Sequence, residues 1–255
     1  MKTQDFLTML DERFPKSLSA PWDNDGIMYL SPNLTDISRV LVSLDPTLSA
    51  LNYAKQGNFD LLLTHHPMIF RPVKALCGGS AVQNRIITAL RENVSIISLH
   101  TRLDAADGGV NDALADRLGL TVIGKFGDEE CEGIGRICAI EEKMTLAELT
   151  ALVKEKLGCD SVRYTGRKDA VLGTAALCGG DGKSMIAPAM ESGADLLITG
   201  DAGYNISEAA AEDGFYVIEA GHWHTEAPIC ETVAKLLREH GIYAKVFENC
   251  PYGNL

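Results

Sequence analysis

Three short segments of the sequence carry histidines and acids at spacings that suit metal binding. The first, Thr64-His65-His66-Pro67, holds two adjacent histidines, and the other two place a carboxylate four residues after a histidine, in His100-x-x-x-Asp104 and His222-x-x-x-Glu226. Imidazole nitrogens and carboxylates together suit Zn²⁺, Fe²⁺, Mn²⁺ or Co²⁺. The predicted metal ligands are His65, His66, Asp104, His222 and Glu226. Five ligands exceed what one catalytic ion with an open position uses, so we predict two divalent ions about 3.5–4 Å apart, bridged by a carboxylate and a water.

Each of these segments also has a purely structural explanation. An adjacent histidine pair can simply be polar surface, and Asp104 could start the turn into the next helix. Thr225 could cap the helix that follows it, with Glu226 favouring the positive end of that helix. Their shared position favours chemistry instead. All of them follow apolar strand patterns, and loops after the carboxyl ends of strands are where α/β folds bind ligands.

A fourth candidate segment is the acidic turn Trp22-Asp23-Asn24-Asp25-Gly26, which precedes a short predicted strand. Acidic turns with a glycine are common at protein surfaces, so this segment alone is weak evidence. Both tryptophans of the chain, Trp22 and Trp223, lie in or beside the candidate segments. Either ring could therefore line a binding pocket.

The apolar strand patterns occur twice along the chain. DLLLT at 60–64 is nearly repeated by DLLIT at 195–199, and the strand patterns at 93–99 and 215–220 each precede a His-x-x-x-acid segment. Each half opens with a helix, over Thr3–Phe14 in the first and after the capping box Thr145-Leu-Ala-Glu148 in the second. Helices that alternate with short apolar strands predict the α/β class. The repeat predicts two lobes related by a pseudo-two-fold axis.

The repeat is imperfect at the histidine pair, because Gly200-Asp201 stands where the first half has His65-His66. One shared asymmetric site is therefore expected rather than two equivalent sites. The Gly- and acid-rich stretch Lys125–Gly135 predicts a linker between the lobes. We accordingly expect an N-terminal lobe over residues 1–125 and a C-terminal lobe over residues 126–255.

Composition excludes several classes of function. The chain of 255 residues has 23 Lys+Arg against 35 Asp+Glu, a formal net charge of −12. Such a surplus of acids argues against nucleic-acid binding and against docking on anionic membranes. The start of the chain lacks a signal-peptide pattern, and no apolar run could span a bilayer. Seven scattered cysteines without a C-x-x-C predict reduced thiols and a cytoplasmic location.

Five motifs together resemble the NIF-three-like dinuclear metal centre family, whose members are often labelled GTP cyclohydrolase I type 2 homologues. They are T-H-H-P after DLL, the stretch H-T-x-L-D-A-A-x-G-G-V-N-D at 100–112, G-H-x-x-T-E at 221–226, W-D-N-x-G at 22–26 and L-D-P-T at 44–47. The resemblance extends from near residue 3 to near residue 247.

The resemblance implies two interleaved α/β lobes with a metal pair in the cleft between them and no further inserted domain. The five predicted ligands match the family's ligand positions, with Asp104 or Glu226 as the bridging carboxylate and His100 as an accessory group beside them. It also implies a toroidal homohexamer, expected as a trimer of dimers. The chain departs from the pattern at Asn205, where relatives often have a histidine, and at His224, where the residue is usually small.

The leading functional hypothesis is a metal-dependent hydrolase acting on an unidentified small molecule, with a metal-bridging water as nucleophile. His100 and His224 are the candidate catalytic residues that would move the proton. The cyclohydrolase label would mean attack at a purine C8, but no phosphate-binding loop is present and Arg71, Lys74 and Arg102 are the only nearby cations. The alternative is a non-enzymatic metal-binding scaffold or metallochaperone in the form of a hexameric cage.

Overall fold

The computed structural model describes residues 1–253, which form two compact units. The first unit comprises residues 1–103 and 230–251, and the second comprises residues 104–229 with residues 252 and 253. The strands are β1 (Gly26–Tyr29), β2 (Arg39–Ser43), β3 (Leu61–Thr64), β4 (Ser95–Ser98), β5 (Thr121–Phe126), β6 (Gly135–Thr145), β7 (Arg163–Tyr164), β8 (Val171–Asp181), β9 (Leu196–Asp201), β10 (Tyr216–Glu219) and β11 (Tyr243–Val246). The α-helices are α1 (Thr3–Arg13), α2 (Leu48–Gln56), α3 (Ala81–Glu92), α4 (Thr101–Ala105), α5 (Val110–Leu118), α6 (Leu146–Leu157), α7 (Ile186–Glu191), α8 (Tyr204–Glu212), α9 (His222–Glu226) and α10 (Pro228–Glu239).

The first unit is built on a five-stranded sheet in the order β1-β4-β3-β2-β11. Four of its strands are parallel, and only the edge strand β1 runs antiparallel. Every residue of β3 and β4 is buried, as expected for parallel strands covered on both faces. Ser43, Thr64 and Ser98 lie in register at the ends of β2, β3 and β4. The segments that follow these three residues therefore emerge at the same edge of the sheet.

The second unit is built on a six-stranded sheet in the order β5-β6-β8-β9-β10-β7. Its strands β8, β9 and β10 are parallel, with Cys178, Thr199 and Glu219 in register. Helix α6 begins with the predicted capping box, in which Thr145 Oγ1 accepts from the Glu148 N–H and Glu148 accepts from the Thr145 N–H. The helix buries Leu146, Leu149 and Val153 in the core of this unit.

The predicted repeat is confirmed by the order of the strands. The series β1-β4-β3-β2 in the first sheet matches β7-β10-β9-β8 in the second, since each has one antiparallel edge strand beside three parallel strands. The interleaving implied by the family resemblance is also present. Strand β5 follows the first repeat in sequence but joins the second sheet, and the C-terminal strand β11 joins the first sheet.

This exchange of strands explains why the two units do not follow the predicted lobe boundary between residues 125 and 126. Strand β5 pairs with β6, and β6 itself, an 11-residue strand, was not predicted from the sequence. Helices α3 and α8 were not predicted either. Within residues 1–253, no helix combines the length and the apolar character needed to cross a membrane.

Candidate metal centre

Three of the histidines singled out from the sequence lie together in the first unit. His65 and His66 follow β3, and His100 follows the neighbouring strand β4. A nitrogen from each of these rings lies within 4.8 Å of the corresponding atoms of the other two, so this group could hold a metal ion. His65 is only 3% exposed, which gives the group one deeply buried member. The in-register ends of β3 and β4 account for the convergence.

The Nδ1 atom of each of these rings is engaged by a hydrogen-bond acceptor. His65 Nδ1 lies 2.9 Å from the Leu99 carbonyl, His66 Nδ1 lies 2.9 Å from Asp45 Oδ1, and His100 Nδ1 lies 2.8 Å from Asp23 Oδ1. Carbonyl and carboxylate oxygens only accept, so the ring proton belongs on Nδ1. The Nε2 atom of a neutral ring then carries the lone pair, so this tautomer can bind a metal ion through Nε2.

The acceptor for His100 belongs to the acidic turn before β1. The Asp23 side chain is fully buried, and Oδ2 also accepts from the backbone N–H and the hydroxyl of Thr101. Burial opposes ionisation of Asp23, but the hydrogen bonds from His100 and Thr101 and the attraction of His100 outweigh it and lower its pKa to about 2. The turn is therefore an anionic support for the His100 ring and not a loose surface loop.

The same turn is fixed in place by a buried ion pair. Arg102 Nε donates to Asp25 Oδ2 at 2.7 Å, and both side chains are almost completely buried. Arg102 Nη1 also donates to Asp11 and to the Phe14 carbonyl. Arg102 is one of the few cations that the sequence places near the motifs, and the structure uses its guanidinium internally.

Two half-exposed aromatic rings stand beside His100. Trp22 and Phe70 make an edge-on contact with ring centroids 6.1 Å apart, and the Phe70 centroid lies 5.9 Å from that of His100. Trp22 also contacts the His100 ring at 6.5 Å. Trp22 and Phe70 therefore form apolar surface next to the His100 ring.

In the second unit, His222 and Glu226 lie one turn apart on α9, a spacing that puts both side chains on the same helix face. His222 Nε2 is 3.2 Å from Glu226 Oε1, and the Glu226 side chain is buried. His222 Nδ1 lies 2.8 Å from Asp201 Oδ2. Asp201 is the residue that replaces part of the histidine pair in this repeat, and here it holds the opposite side of an imidazole.

Two glycines at the strand ends make room for this pair. A Cβ on Gly180 would collide with Glu226 Oε1 and would lie 3.2 Å from His222 Nε2, and the backbone there has a φ of +70°. A Cβ on Gly200 would lie 2.6 Å from the Cα of His222. The Gly180 N–H donates to the hydroxyl of Thr225. The glycines therefore shape the space that the two side chains occupy.

Asp104 lies within α4 and does not cap the next helix, whose N-cap is Gly109. The carboxylates of Asp104 and Glu226 both lie close enough to the buried Cys178 thiol to add to the effect of burial, which raises the pKa of that thiol. Thr225 is likewise not a helix cap, because α9 begins after Gly221.

A family model described as Duf34/NIF3 (NGG1p interacting factor 3) matches residues 1–249. The chain belongs to the DUF34/NIF3 family. A family relative from Clostridium perfringens, named GTP cyclohydrolase 1 type 2 homolog, is 31% identical over 242 residues, which is 94% of this chain and 92% of the relative.

A second relative and a solved structure are also similar to this chain. A Lactococcus lactis subsp. lactis protein, also named GTP cyclohydrolase 1 type 2 homolog, is 33% identical over 252 residues, 98% of this chain and 96% of the relative. The solved structure of a hypothetical protein from Staphylococcus aureus matches with a TM-score of 0.90 at 25% identity and covers 100% of this chain and 99% of that one. These findings confirm the family resemblance inferred from the motifs.

At the two positions that depart from the DUF34/NIF3 pattern, the side chains differ in their surroundings. His224 is two residues from both His222 and Glu226, so helical geometry directs it to a different face of α9. Its ring packs edge-on against Trp223 at 5.2 Å, and its buried Nδ1 atom has no hydrogen-bond partner among residues 1–253. Asn205 is exposed in the first turn of α8.

The donor chemistry within each unit fits a divalent transition metal. The first unit presents three imidazoles held through Nδ1, and the second presents one such imidazole beside a buried carboxylate. The candidate ligands were predicted from the sequence, but the side chains that support them were not. Asp23, Asp45 and Asp201 belonged to segments already noted, and the rule that a ligating histidine needs an acceptor on its other nitrogen could have drawn attention to them.

Proposed function

We propose that this DUF34/NIF3 protein binds two divalent metal ions through His65, His66, Asp104, His222 and Glu226, and that it hydrolyses a small-molecule substrate. The observation that carries the proposal is the hydrogen bonding of four imidazoles. Each of His65, His66, His100 and His222 has Nδ1 against a carbonyl or carboxylate oxygen. Four rings held in the metal-binding tautomer are far more than packing requires.

The name shared by the curated relatives, GTP cyclohydrolase 1 type 2 homolog, supports a hydrolytic reaction. When bound, two divalent ions would supply Lewis acidity and a water of lowered pKa at the reacting centre. The side chains of this protein would orient the metal-binding imidazoles. Asp23, Asp45 and Asp201 keep a proton on the Nδ1 atoms they face, which leaves the Nε2 atoms as electron-pair donors.

His100 is the better placed of the two predicted catalytic residues. Its Nδ1–H is held by the buried Asp23 carboxylate, so the ring can accept a second proton at Nε2 and pass it to a leaving group. The ionised Asp23 would stabilise the resulting imidazolium. His224 remains the second candidate, although it points to a different face of α9 from His222 and Glu226. Trp22 and Phe70 would contact the apolar part of a substrate beside His100.

The first experiment measures metal content per chain by mass spectrometry of the elements, before and after reconstitution with Zn²⁺, Mn²⁺, Fe²⁺ or Co²⁺. We expect two ions per chain in the native protein and no more than one in His65→Ala. His240→Ala is the matched control, because the Nδ1 of His240 also faces a carbonyl, that of Leu236, but His240 is not a proposed ligand. Fewer than one ion per chain after reconstitution would contradict the proposal.

The second experiment tests turnover of GTP and of simple phosphoesters with each metal. Hydrolysis that is lost in His65→Ala and slowed in His100→Gln supports the enzyme. Stoichiometric metal binding without turnover under any metal would instead support the metal-storage or metal-delivery scaffold. We further propose a cytoplasmic homohexamer arranged as a trimer of dimers, which light scattering of the native chain tests directly. A monomer or dimer at micromolar concentration would contradict that assembly.

A further inference from the structure

A groove of about 550 Å³ in the second unit shares no lining residue with the proposed metal ligands. One wall is a face of α8 that presents Tyr204, Ser207, Glu208 and Glu212, and the facing wall includes Tyr164 of the edge strand β7. The α8 residues are spaced by three, four and eight positions, which is the spacing of one helix face. This face of α8 is therefore turned toward the groove and not toward the core.

Ser207 gives the groove a buried polar group that the fold does not use. The residue is 6% exposed, lines the groove and has no hydrogen-bond partner for its hydroxyl oxygen among residues 1–253. Buried hydroxyls in native proteins are nearly always paired, because an unpaired one loses its hydrogen bonds to water without replacement. A ligand with an N–H group would supply the missing partner.

The charges that line the groove leave a net negative potential. Arg163 Nη2 pairs with Glu219 Oε2 at 2.9 Å, and Glu219 Oε1 accepts from the backbone N–H groups of Ala202 and Gly203. That pair is therefore neutral and internally satisfied. Glu208 and Glu212 are exposed and form no ion pair within residues 1–253, so the groove attracts a cation.

The two tyrosines specify the kind of cation. Tyr204 is 82% exposed and Tyr164 is half-exposed, so both present ring surface to a ligand in the groove. Aromatic faces attract organic ammonium groups and also pack against hydrocarbon. We propose that this groove binds a small organic amine, with its ammonium group near Glu208, Glu212 and the Ser207 hydroxyl and its apolar body against Tyr164 and Tyr204.

Binding is tested on the full chain by calorimetric or NMR titration with three probes that share a phenylethyl group and differ in charge. The amine is phenethylamine, the neutral probe is 2-phenylethanol and the anionic probe is 3-phenylpropanoate. We expect saturable binding of the amine at up to about 10 mM, weaker binding of the alcohol and none of the carboxylate. Raising the ionic strength about tenfold should weaken the binding of the amine and leave the binding of the alcohol unchanged.

Variants assign the binding to the groove. The double variant Glu208→Gln with Glu212→Gln should lower the affinity for the amine about fivefold and leave the affinity for the alcohol unchanged. A fivefold loss is the magnitude expected for two exposed ion pairs. Glu191→Gln, at the exposed end of α7, removes one acid outside the groove and should leave binding unchanged. Ser207→Ala should weaken the binding of the amine and leave the thermal unfolding temperature unchanged. Equal binding of amine and alcohol, equal loss in Glu191→Gln, or no saturable binding would each overturn the proposal.

Discussion

At the carboxyl end of β3 the first unit carries His65-His66, whereas the corresponding end of β9 in the second unit carries Gly200-Asp201. The surrounding sheets have matching strand orders, and both strand ends contribute to holding imidazoles. In the first unit the strand end supplies the ring, and in the second unit Asp201 supplies the acceptor for a ring on α9. Matching strand positions can thus serve one chemistry through different residue types.

The two units also differ in how deeply the supporting carboxylates are buried. The Asp23 side chain, which holds His100, is 0% exposed, whereas Asp201, which holds His222, is 54% exposed. The first unit anchors its supporting turn with the buried Arg102–Asp25 pair, and the second places its candidate ligands against glycines. Rigidity comes from a charge network in one unit and from close backbone approach in the other.

The largest expected effect is on the charge network. Arg102→Ala leaves Asp25 buried without its partner and should lower the free energy of unfolding by about 3–5 kcal/mol. Arg163→Ala removes an arginine of the second unit that is 81% exposed and paired with Glu219, and should cost less than about 1 kcal/mol. Urea unfolding of both variants measures the difference. Equal losses of unfolding free energy in the two variants would show that the turn before β1 does not depend on the Arg102–Asp25 pair.

The close backbone approach in the second unit is tested at Gly180. Gly180→Ala adds a collision with Glu226 to the strain of a positive φ and should cost about 2–4 kcal/mol and reduce metal content. Gly193→Ala is the matched control, because Gly193 has a φ of +79° and a Cβ there would meet nothing within 4 Å. It should cost about 1 kcal/mol and leave metal content unchanged. A Gly180 variant that retains its metal would argue against the role assigned to this glycine.

The contrast between supporting carboxylates predicts unequal effects on metal affinity. Asp23→Asn should weaken metal binding about 10- to 100-fold, since it alters the buried acceptor that holds the His100 ring beside the proposed ligands His65 and His66. Asp201→Asn should weaken it by less than about tenfold, because water can reach the His222 ring nitrogen that this exposed carboxylate holds. Competition with a chelator of known affinity measures both. A larger effect at Asp201 would reverse the comparison.

The smallest expected effect is on acid stability. The pKa of Asp23 is lowered from 3.8 to about 2 in the folded chain, so its ionisation stabilises the fold above about pH 4. That contribution is lost as the pH falls from about 4 toward 2. Asp23→Asn should therefore show a shallower loss of stability over this interval than the native protein. If the free energy of unfolding depends on pH equally in both proteins across this range, the Asp23 carboxylate does not titrate as described.

The sequence predicted the ligands because adjacent histidines after a buried strand leave a strong local signal. The repeat, most strand positions and the α6 capping box were likewise visible in local patterns. The hydrogen-bond partners of the histidines were not visible in local patterns. Asp23 lies 77 residues from His100, and Asp45 lies 21 residues from His66. Those pairs depend on which strands are neighbours and in which register, and no local pattern encodes that.

Two further features were hidden for related reasons. Strand β6 pairs antiparallel between β5 and β8, and its sequence lacks the uninterrupted apolar run of the central parallel strands. Gly180 belongs to none of the motifs that the sequence analysis singled out. Its importance is evident only when β8 is extended to Asp181 and α9 is placed over it.

The central claim is that the Nε2 atoms of the held imidazoles bind divalent ions. It is tested most directly by anomalous diffraction from crystals of the native chain grown with Zn²⁺, with data collected at the zinc absorption edge. We expect two peaks per chain, with the Nε2 atoms of His65, His66 and His222 about 2.0–2.1 Å from an ion. The Nδ1 atoms should keep their contacts with Leu99, Asp45 and Asp201. Ions bound through Nδ1, or no peaks beside these histidines, would contradict the account.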